Sequence, residues 1–556
     1  MSSHDAKVDF PEPENHQVAE KSSNDNEYPP TQSRFSEFLQ NNKLYIYIFI
    51  WILMTVYFGF ALGLKKQTQL DAVLPLIFLY AFITLKMLSN YVSYSFISSA
   101  FGACFDFFFV TLAGKIPQKL RTISFVVFGF AVLLIVSLTI KTSNLGTRIN
   151  RIQSLLGIVI IIAVFAATSK KRRAIPWHTV ITGLLLQLIL GAIVLKTNAG
   201  LQLFKWIAGM ARVFLGYSIE GVAFLFGDGV RTSTSFAVGV FPAIIFFVSV
   251  IQMVYFVGGM QWLVSKLSIF FTKLMDTSGA ESIVAAASPF VGQGESAVLV
   301  AKYVEFMTKS ELHAIMTAGF ATISGSVLNG YVSLGANLTY IITCCIMSIP
   351  CSLAMSKLRY PETEESLTKG RVVVPETESE DINLLHAAGN GAGLGMTLSL
   401  MIAASLIAIV SLLAFINAFL TYLGNFVGIK ELTLILIIGY ILYPLAWLIG
   451  VSSSDTLTIS KILATKLVAN EFVAYFNLGA GDEGSRIMDL VTPRSSIITQ
   501  FALCGFANFA SVGIQISVLG TISPKRKGDL ARLALSAMFT GYIATCLSAS
   551  IAGLLM

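Results

Sequence analysis

Charged residues are scarce in this sequence. Asp, Glu, Lys and Arg make up 12% of its 556 residues, whereas soluble domains carry about 25%. Hydrophobic residues make up 55%, and many of them form runs close to the roughly 20 residues that a membrane-spanning helix needs. This composition excludes an ordinary soluble domain and predicts an all-α polytopic membrane protein.

Cysteines and the motifs of common enzymes are also few. The six cysteines lie in apolar segments at no metal-ligand spacing, so we expect buried thiols, no disulfide framework and no metal site. The sequence has no phosphate-binding loop, no zinc-protease motif and no nucleophile elbow, which argues against a membrane enzyme, catalytic residues or a cofactor. The net charge of +7 is spread over loops, so no nucleic-acid partner is expected.

The order of polar and apolar segments predicts the topology. Residues 1–40 are polar and proline-containing, as in a disordered tail. The segment 198–232 is only half apolar and predicts an interfacial helix plus loop, and the run 92–114 could span, extend a neighbour or lie at the interface. The remaining apolar runs predict spans at about 43–64, 71–89, 122–141, 152–168, 175–196, 236–257 and 530–555.

Basic clusters set the orientation of these spans. Lys170–Arg173 and Lys525–Lys527 are expected in the cytosol by the positive-inside rule. Counting spans from these clusters places the N-terminus in the cytosol and the C-terminus outside the cell. Lys65 and Lys66 then lie outside, against the rule.

Two stretches carry polar side chains deep in the apolar sequence. One is SPFVGQGES, Ser288–Ser296, and the other is ATKLVANEFVAY, Ala464–Tyr475. Charged side chains near a bilayer centre cost roughly 2.5–3.5 kcal/mol each, so they need partners and indicate a functional site. Each stretch lies between helical arms too short to cross, which predicts two re-entrant hairpins, at 276–309 and 455–490.

Each hairpin is followed by a span with small and polar residues at its centre. These spans are GFATISGSVLNGYVSLG, 319–335, and FALCGFANFASVGIQIS, 501–517. Such a pair of interrupted segments is the best sequence indication of a transporter's binding site. By the span count the hairpins enter from opposite faces, so the two halves are inverted repeats. A passive pore remains an alternative. A pore would not concentrate solute, so accumulation that collapses on adding a protonophore would favour a proton-coupled importer over a pore.

These motifs resemble the concentrative nucleoside transporter family. The family pattern Gly/Ala-x-Lys-x-x-x-Asn-Glu-Phe-Val-Ala is met by Ala464–Ala474, and ALCGFANF, Ala502–Phe509, resembles a further conserved block. GQGES resembles the Gln-Thr-Glu block of the first hairpin, and Arg172–Gly191 an early core span. The additional N-terminal spans resemble those of eukaryotic members.

The resemblance implies an elevator-type fold, in which a transport domain of two hairpins and two broken helices moves past a scaffold. It implies a homotrimer in the lipid of the plasma membrane that imports nucleosides with H+ or Na+. The predicted segments are a tail at 1–40, N-terminal spans at 41–150, scaffold and interfacial helices at 151–275, the first hairpin repeat at 276–356, a cytosolic linker at 357–394, a scaffold helix with a connecting segment at 395–450 and the second hairpin repeat at 451–556.

The resemblance also implies roles for individual residues. Glu471 and Asn508 would bind the ribose hydroxyls, with Ser511 assisting; the alternative is a structural carboxylate paired with Lys466 or Arg494. Arg494 could also anchor the second hairpin to the following helix. The residues expected at the base are Gln293, Glu295 directly or through water, and the apolar walls Val327 and Phe506. Gly294 replaces the family's Thr and leaves more room for the base.

The coupling ion depends on one substitution. The positions that bind sodium in relatives are Ser288, Val291, Thr322 and Ile323, and Ser288 replaces the family's Asn. Because a serine hydroxyl is a shorter oxygen ligand, the sodium site looks incomplete and the sequence favours a proton, with Glu295 and then Glu471 as its carrier. Sodium is the alternative. The isolated His313 is expected to be solvated or interfacial, and the glycines from Gly389 to Gly395 are expected to serve helix packing or a bend.

Overall fold

The protein is helical throughout the part of the chain that the structure describes. The computed structural model describes residues 43–64, 80, 84, 118–140, 142, 145–232, 236–293, 295–366, 381–429, 432–479 and 486–556. The predicted tail 1–40, the run 92–114 and nearly all of the span 71–89 lie outside these residues. The chain forms two units, Met1–Leu112 and Ala113–Met556.

The first unit is described mainly by helix α1, Lys43–Leu64, which matches the predicted span 43–64. In this unit Thr55 lies 2.9 Å from the hydroxyl of Tyr80, whose ring stacks on Phe58. Trp51 donates to Thr84 at 3.2 Å. The polar side chains of this apolar helix therefore find partners within the unit.

The first half of the second unit contains the first hairpin and the first broken helix. Its α-helices are α2 Gln118–Thr139, α3 Arg148–Ala167, α4 Trp177–Lys196, α5 Asn198–Gly216, α6 Ser218–Phe226, α7 Phe236–Phe256, α8 Gly259–Met275, α9 Gly279–Val291, α10 Ala301–Val304, α11 Lys309–Ala321, α12 Leu328–Ser333 and α13 Leu338–Arg359. The 3-10 turns are Arg172–Ala174, Asp228–Thr232, Glu295–Val300 and Gly325–Val327.

The second half repeats this order of elements. Its α-helices are α14 Leu384–Phe426, α15 Leu434–Leu448, α16 Thr456–Val468, α17 Glu471–Gly479, α18 Ile487–Leu490, α19 Pro493–Leu503, α20 Phe509–Ile522 and α21 Lys527–Leu555, with a 3-10 turn at Pro524–Arg526. In each half a hairpin (α9 and Glu295–Val304, or α16 and α17) precedes a broken helix (α11 and α12, or α19 and α20). A long buried helix, α13 or α21, follows each broken helix.

The hairpins lie where the sequence predicts them, and their arms are short. The first arms, α9 and α16, have 13 residues each. The second arm of hairpin 1 begins as a 3-10 turn, and that of hairpin 2 has only 9 residues. Arms this short do not cross a bilayer, which agrees with re-entrant insertion.

Seven helices among the described residues are long and apolar enough to cross a membrane. One of them is the continuous pair α5 and α6, Asn198–Phe226, so the interfacial placement of this segment stays a prediction. Helix α14 has 43 residues, about 65 Å at 1.5 Å per residue. It begins at Leu384, inside the segment predicted as a linker, because Asn383 caps it by accepting from the backbone nitrogen of His386.

Helices α7 and α14 pack closely through glycines. A Cβ atom at Gly391 would lie 2.7 Å from Cα of Ser249, and one at Gly395 would lie 2.7 Å from Cα of Ile245. Ser249 also donates to the carbonyl of Ala388 at 2.8 Å. The glycine-rich start of α14 therefore serves helix packing, as the sequence suggested.

A buried ion pair holds the base of hairpin 1 against α13. Lys357 lies 2.8 Å from Glu281, and the two side chains are 6% and 0% exposed. Glu281 also accepts from the backbone of Ser278 in a capping box. Glu362 lies 3.4 Å from Lys357; burial raises the pKa of its carboxyl, but Lys357 and hydrogen bonds outweigh this and hold the pKa below its ordinary value.

Replacing one member of this ion pair should destabilise the protein more than replacing both members. Lys357→Met leaves Glu281 as a buried carboxylate without its cation, at a cost of about 3–5 kcal/mol. The double variant Lys357→Met, Glu281→Gln should recover much of that loss because the fully buried position 281 no longer carries a charge, and the carboxylate that still loses Lys357, Glu362, is partly exposed. Thermal unfolding of the purified protein measures both. A double variant less stable than Lys357→Met alone would contradict this account.

Candidate functional site

The tips of both hairpins and the breaks of both broken helices line one cavity of about 720 Å³. This volume is within the range of roughly 300–1,000 Å³ for small-molecule pockets. Helices α7 and α14 complete the wall. Of the residues predicted to bind substrate, the cavity is lined by Gln293, Val327, Glu471, Phe506, Asn508 and Ser511. The backbone of Gly294 and the side chain of Glu295 lie outside the described part.

Glu471 is held at the centre of the site by two polar partners. Its carboxylate accepts from Nδ2 of Asn508 at 2.9 Å and from the hydroxyl of Tyr331 at 3.3 Å. Glu471 is 2% exposed and Asn508 1%. A buried charge requires such partners, and the pair presents both acceptor and donor atoms to a hydroxyl-bearing ligand.

Asn508 has a second role as the N-cap of α20. Its Oδ1 accepts from the backbone nitrogen of Ser511 at 2.8 Å. Because Oδ1 is held at the helix end, the amide is oriented with Nδ2 toward Glu471. One side chain thus pairs with both the end of α20 and the carboxylate. Asn470 acts similarly in hairpin 2, where its Oδ1 accepts from the backbone nitrogen of Val473 at 2.9 Å.

The alternative partners of Glu471, Lys466 and Arg494, bind backbone carbonyls instead. Nζ of Lys466 donates to the carbonyls of Ala502 and Cys504 at 2.8 and 3.2 Å. Lys466 thus caps the C-terminal end of α19, where cations are favoured. It stabilises the break that places Phe506 and Asn508 in the cavity.

Arg494 anchors α19 to α3 and to the end of α15. Its guanidinium donates to the carbonyls of Gly450 and Asn150 at 2.9 and 3.1 Å and to the hydroxyl of Ser154 at 3.0 Å. The prediction that it ties the second hairpin to the following helix therefore names the wrong partner. Sequence alone does not show that α3 packs there.

Gln293 carries an amide oxygen that finds no donor in the part of the chain that the structure describes. Its Oε1 is buried and accepts no hydrogen bond among the described residues, and the residue lines the cavity. Buried polar atoms are nearly always paired, so this oxygen is available to a ligand or a water molecule. Phe506 and Val327 supply apolar wall beside it.

The four positions expected at the coupling ion lie where hairpin 1 meets the first broken helix. The hydroxyl of Ser288 donates to the carbonyl of Val284 at 2.8 Å, and that of Thr322 to Ala318 at 2.8 Å. Both hydroxyls therefore bond to their own helix and keep an acceptor lone pair. Ser288, Thr322 and Ile323 are buried.

The tip and the break are joined at this place. The carbonyl of Val291 accepts from Ser324 at 3.3 Å, and the carbonyl of Thr322 accepts from the backbone nitrogen of Phe506 at 3.2 Å. The ion region and the base-binding region are therefore mechanically connected through hairpin 1 and both breaks.

His313 does not lie where the sequence suggested. It is fully buried, with Nδ1 2.7 Å from the hydroxyl of Ser356 and Nε2 3.1 Å from that of Ser536. Its ring stacks on Tyr360. The expectation of a solvated or interfacial histidine is wrong, because α13 and α21 cover this face of α11.

Sequence reasoning missed several residues of the site. Tyr331 reaches Glu471 from α12. The cavity is also lined by Gln252 and Tyr255 on α7, by Asn390 on α14 and by Asp381 just before α14. Their contribution depends on tertiary packing. The one sequence signal was the polar and glycine content at the start of α14.

Three family models match the second unit. "Na+ dependent nucleoside transporter N-terminus" matches residues 156–229, "Nucleoside recognition" matches 237–338, and "Na+ dependent nucleoside transporter C-terminus" matches 340–553. Together they run through nearly all of the described residues from α3 to α21.

Full-length relatives match over most of the chain. Solute carrier family 28 member 3 of Eptatretus stoutii is 36% identical over 530 residues, covering 93% of this chain and 76% of its own. Human sodium/nucleoside cotransporter 1 is 40% identical over 432 residues, 76% of this chain and 66% of its own. Rat sodium/nucleoside cotransporter 2 is 39% identical over 417 residues, which cover 73% of this chain and 63% of its own. The matched region thus spans less than two thirds of these two mammalian relatives.

Solved structures with the same fold represent several states of one transporter. CNTnw in an inward-facing substrate-bound state is 36% identical with a TM-score of 0.68, covering 73% of this chain and 97% of that one. A CNTnw variant in an outward-facing state has a TM-score of 0.69, covering 74% and 99%. These matches agree with the all-α, inverted-repeat, elevator-type fold expected from the sequence.

Proposed function

Because the chain belongs to the concentrative nucleoside transporter family, we propose that it imports nucleosides across the plasma membrane by elevator-type alternating access. The observation that carries the proposal is the single cavity shared by the tip of each hairpin, with Gln293 on one and Glu471 on the other. We further propose a homotrimer with a cytosolic N-terminus and an extracellular C-terminus. No step of the mechanism requires an enzyme's catalytic groups.

In this mechanism the two ends of a nucleoside meet different chemistry. Glu471 and Asn508 bind the ribose hydroxyls, with Ser511 beside them, because a carboxylate accepts and an amide both accepts and donates. Gln293 supplies an amide to the base, and Phe506 and Val327 pack on its faces. Gly294 and Glu295 remain part of the proposed base-binding region.

Uptake of labelled uridine and adenosine into proteoliposomes tests this proposal. We expect saturable uptake of at least one nucleoside against its gradient. Failure of every nucleoside to accumulate under any imposed ion gradient would overturn it.

For the coupling ion we propose sodium in place of the proton that Ser288 suggested. The names of the two mammalian relatives and of two family models specify sodium, and proton coupling finds no support in them. The hydroxyls of Ser288 and Thr322 each keep a lone pair, and the region also offers the carbonyls of Val291 and Ile323. The shorter ligand at Ser288 should weaken sodium binding without abolishing it.

Imposed gradients separate the two ions. Replacing external sodium by choline should lower the initial rate of uptake by about tenfold or more, while a pH gradient alone should not drive accumulation. Ser288→Asn should lower the sodium concentration for half-maximal uptake because the longer amide reaches further into the site, and Ser288→Ala should raise it. Ser352→Ala is the matched control, because Ser352 is a buried serine that donates to the carbonyl of Ile349.

The proton hypothesis makes the opposite forecast. Uptake that persists in choline and increases as the external pH falls would establish the proton and exclude sodium. Ser288→Asn would then leave the rate in choline unchanged.

A further inference from the structure

The cavity has a second polar end. Here Gln252 and Tyr255 on α7 face Asp381 and Asn390 at the start of α14, and all four residues line the same cavity as Glu471. Asp381 is well buried, with a side chain 5% exposed. The structure therefore places a second carboxylate in the cavity, outside the residues assigned to the central site.

The two ends are well separated along α7. The tip of hairpin 2 lies beside Val240, since a Cβ atom at Gly330 would lie 3.0 Å from Val240 and 3.2 Å from the ring of Phe472. Asp381 is instead bonded to Gln252, twelve residues later on the same helix. At 1.5 Å per residue Gln252 lies about 18 Å along α7 from Val240, so the two polar ends face different stretches of this helix.

The polar groups at the two ends are chemically alike. Asp381 accepts from Nδ2 of Asn390 at 2.6 Å and from Nε2 of Gln252 at 3.3 Å. At the central site Glu471 accepts from Nδ2 of Asn508 at 2.9 Å. At Glu471 and at Asp381 alike, an amide orients a carboxylate that can also accept from ligand hydroxyls. At the Asp381 end of the cavity, Tyr255 adds an aromatic ring.

We propose that Asp381, Asn390, Gln252 and Tyr255 form a second, weaker nucleoside site that binds the ribose hydroxyls on the way into or out of the central site. This inference rests on the proposed nucleoside transport. The second site is weaker because three protein groups surround the carboxylate of Asp381, namely the amides of Asn390 and Gln252 and the ring of His386 at 3.9 Å, whereas two contact Glu471. Gln252 and Tyr255 lie on α7, within the segment 151–275 that the family resemblance assigns to the scaffold, so the site would stay in place while the hairpins move.

Such a site would assist transfer by replacing hydrogen bonds rather than breaking them. A ribose leaving Glu471 would otherwise pass from a bonded state to an apolar channel wall, with its hydroxyls unpaired at a cost of about 1–3 kcal/mol for each group. The role of Asp381 that competes with this proposal is purely structural, as a bridge between α7 and α14.

Ser249 separates the two roles. It also joins α7 to α14, through its hydrogen bond to the carbonyl of Ala388, and it lies one turn from Gln252 on α7. Ser249→Ala therefore removes a bridge between the same helices without touching the proposed carboxylate–amide pair. It is the matched control for Asp381→Asn and Asn390→Leu.

Equilibrium binding of labelled uridine and adenosine to the purified full-length protein tests the proposal. The wild type should bind with two affinities. Glu471→Gln should remove the tighter class and keep the weaker one, whereas Asp381→Asn combined with Asn390→Leu should weaken the second class by about tenfold or more and keep the first. Ser249→Ala should keep both.

The inference is overturned if Glu471→Gln abolishes all saturable binding, or if Ser249→Ala removes the weaker class as effectively as the Asp381 and Asn390 variant. Either result leaves the proposed function standing, because the tighter class and uptake would persist in the wild type. If the wild type neither binds nor accumulates any nucleoside, the proposed function itself fails.

Discussion

Glu471→Gln should lower the uptake efficiency for nucleosides by at least about a hundredfold. The carboxylate accepts from Asn508 and Tyr331 and is proposed to accept from the ribose hydroxyls. A hydrogen bond to a charged group contributes roughly 1.5–3 kcal/mol, and each 1.4 kcal/mol is a tenfold change in affinity. The substituted amide has one acceptor oxygen and no charge, so it cannot accept from Asn508, Tyr331 and the ribose hydroxyls together.

Initial rates over a range of uridine concentrations measure this effect, normalised to the amount of protein in the membrane. Tyr331→Phe is the matched control, because it removes one donor to the same carboxylate and leaves the charge in place. Tyr331→Phe should lower the uptake efficiency by tenfold at most. Glu471→Gln with uptake within threefold of the wild type would show that the carboxylate has only a structural role.

Asn508→Ala should have the second largest effect, because Asn508 serves two elements. The substitution removes the cap of α20, at a cost of about 1 kcal/mol of stability, and the amide that orients Glu471. Uptake should fall by about thirtyfold or more, since two hydrogen bonds of the site are lost. Both uptake and thermal unfolding should therefore change.

Asn508→Ser separates these roles. Serine is also a good N-cap, so the thermal stability should return close to that of the wild type. The serine hydroxyl replaces Oδ1 of Asn508 as the acceptor at the cap, but nothing replaces Nδ2 as the donor to Glu471. Uptake should therefore remain low. If Asn508→Ser restored uptake together with stability, the amide would have no part in binding the ribose.

The hairpins and broken helices could be predicted because their signals are local. A polar side chain such as Gln293 or Glu471 in an apolar run needs a partner or a function, and Gly or Pro beside it marks an interrupted helix. The cavity brings together these same residues. The family resemblance then assigned them to sugar or base, which spacing alone does not do.

Other features depend on contacts between distant segments and could not be predicted. Lys466 caps α19 although 36 residues separate it from Ala502. Its positive charge therefore suggested an ion pair with Glu471 that the structure does not contain. His313 is buried by α13 and α21, which its isolated position in the sequence does not show. Tyr331 and Asp381 join the cavity only through the packing of α12 and α14.

A cryo-EM structure of the purified protein with uridine bound would show whether the tips of both hairpins hold one nucleoside. We expect the ribose hydroxyls within hydrogen-bonding distance of Glu471 and Asn508, and the base against Gln293 and Phe506 in the same cavity. Uridine bound at one tip alone, with the other tip facing no part of the ligand, would contradict it.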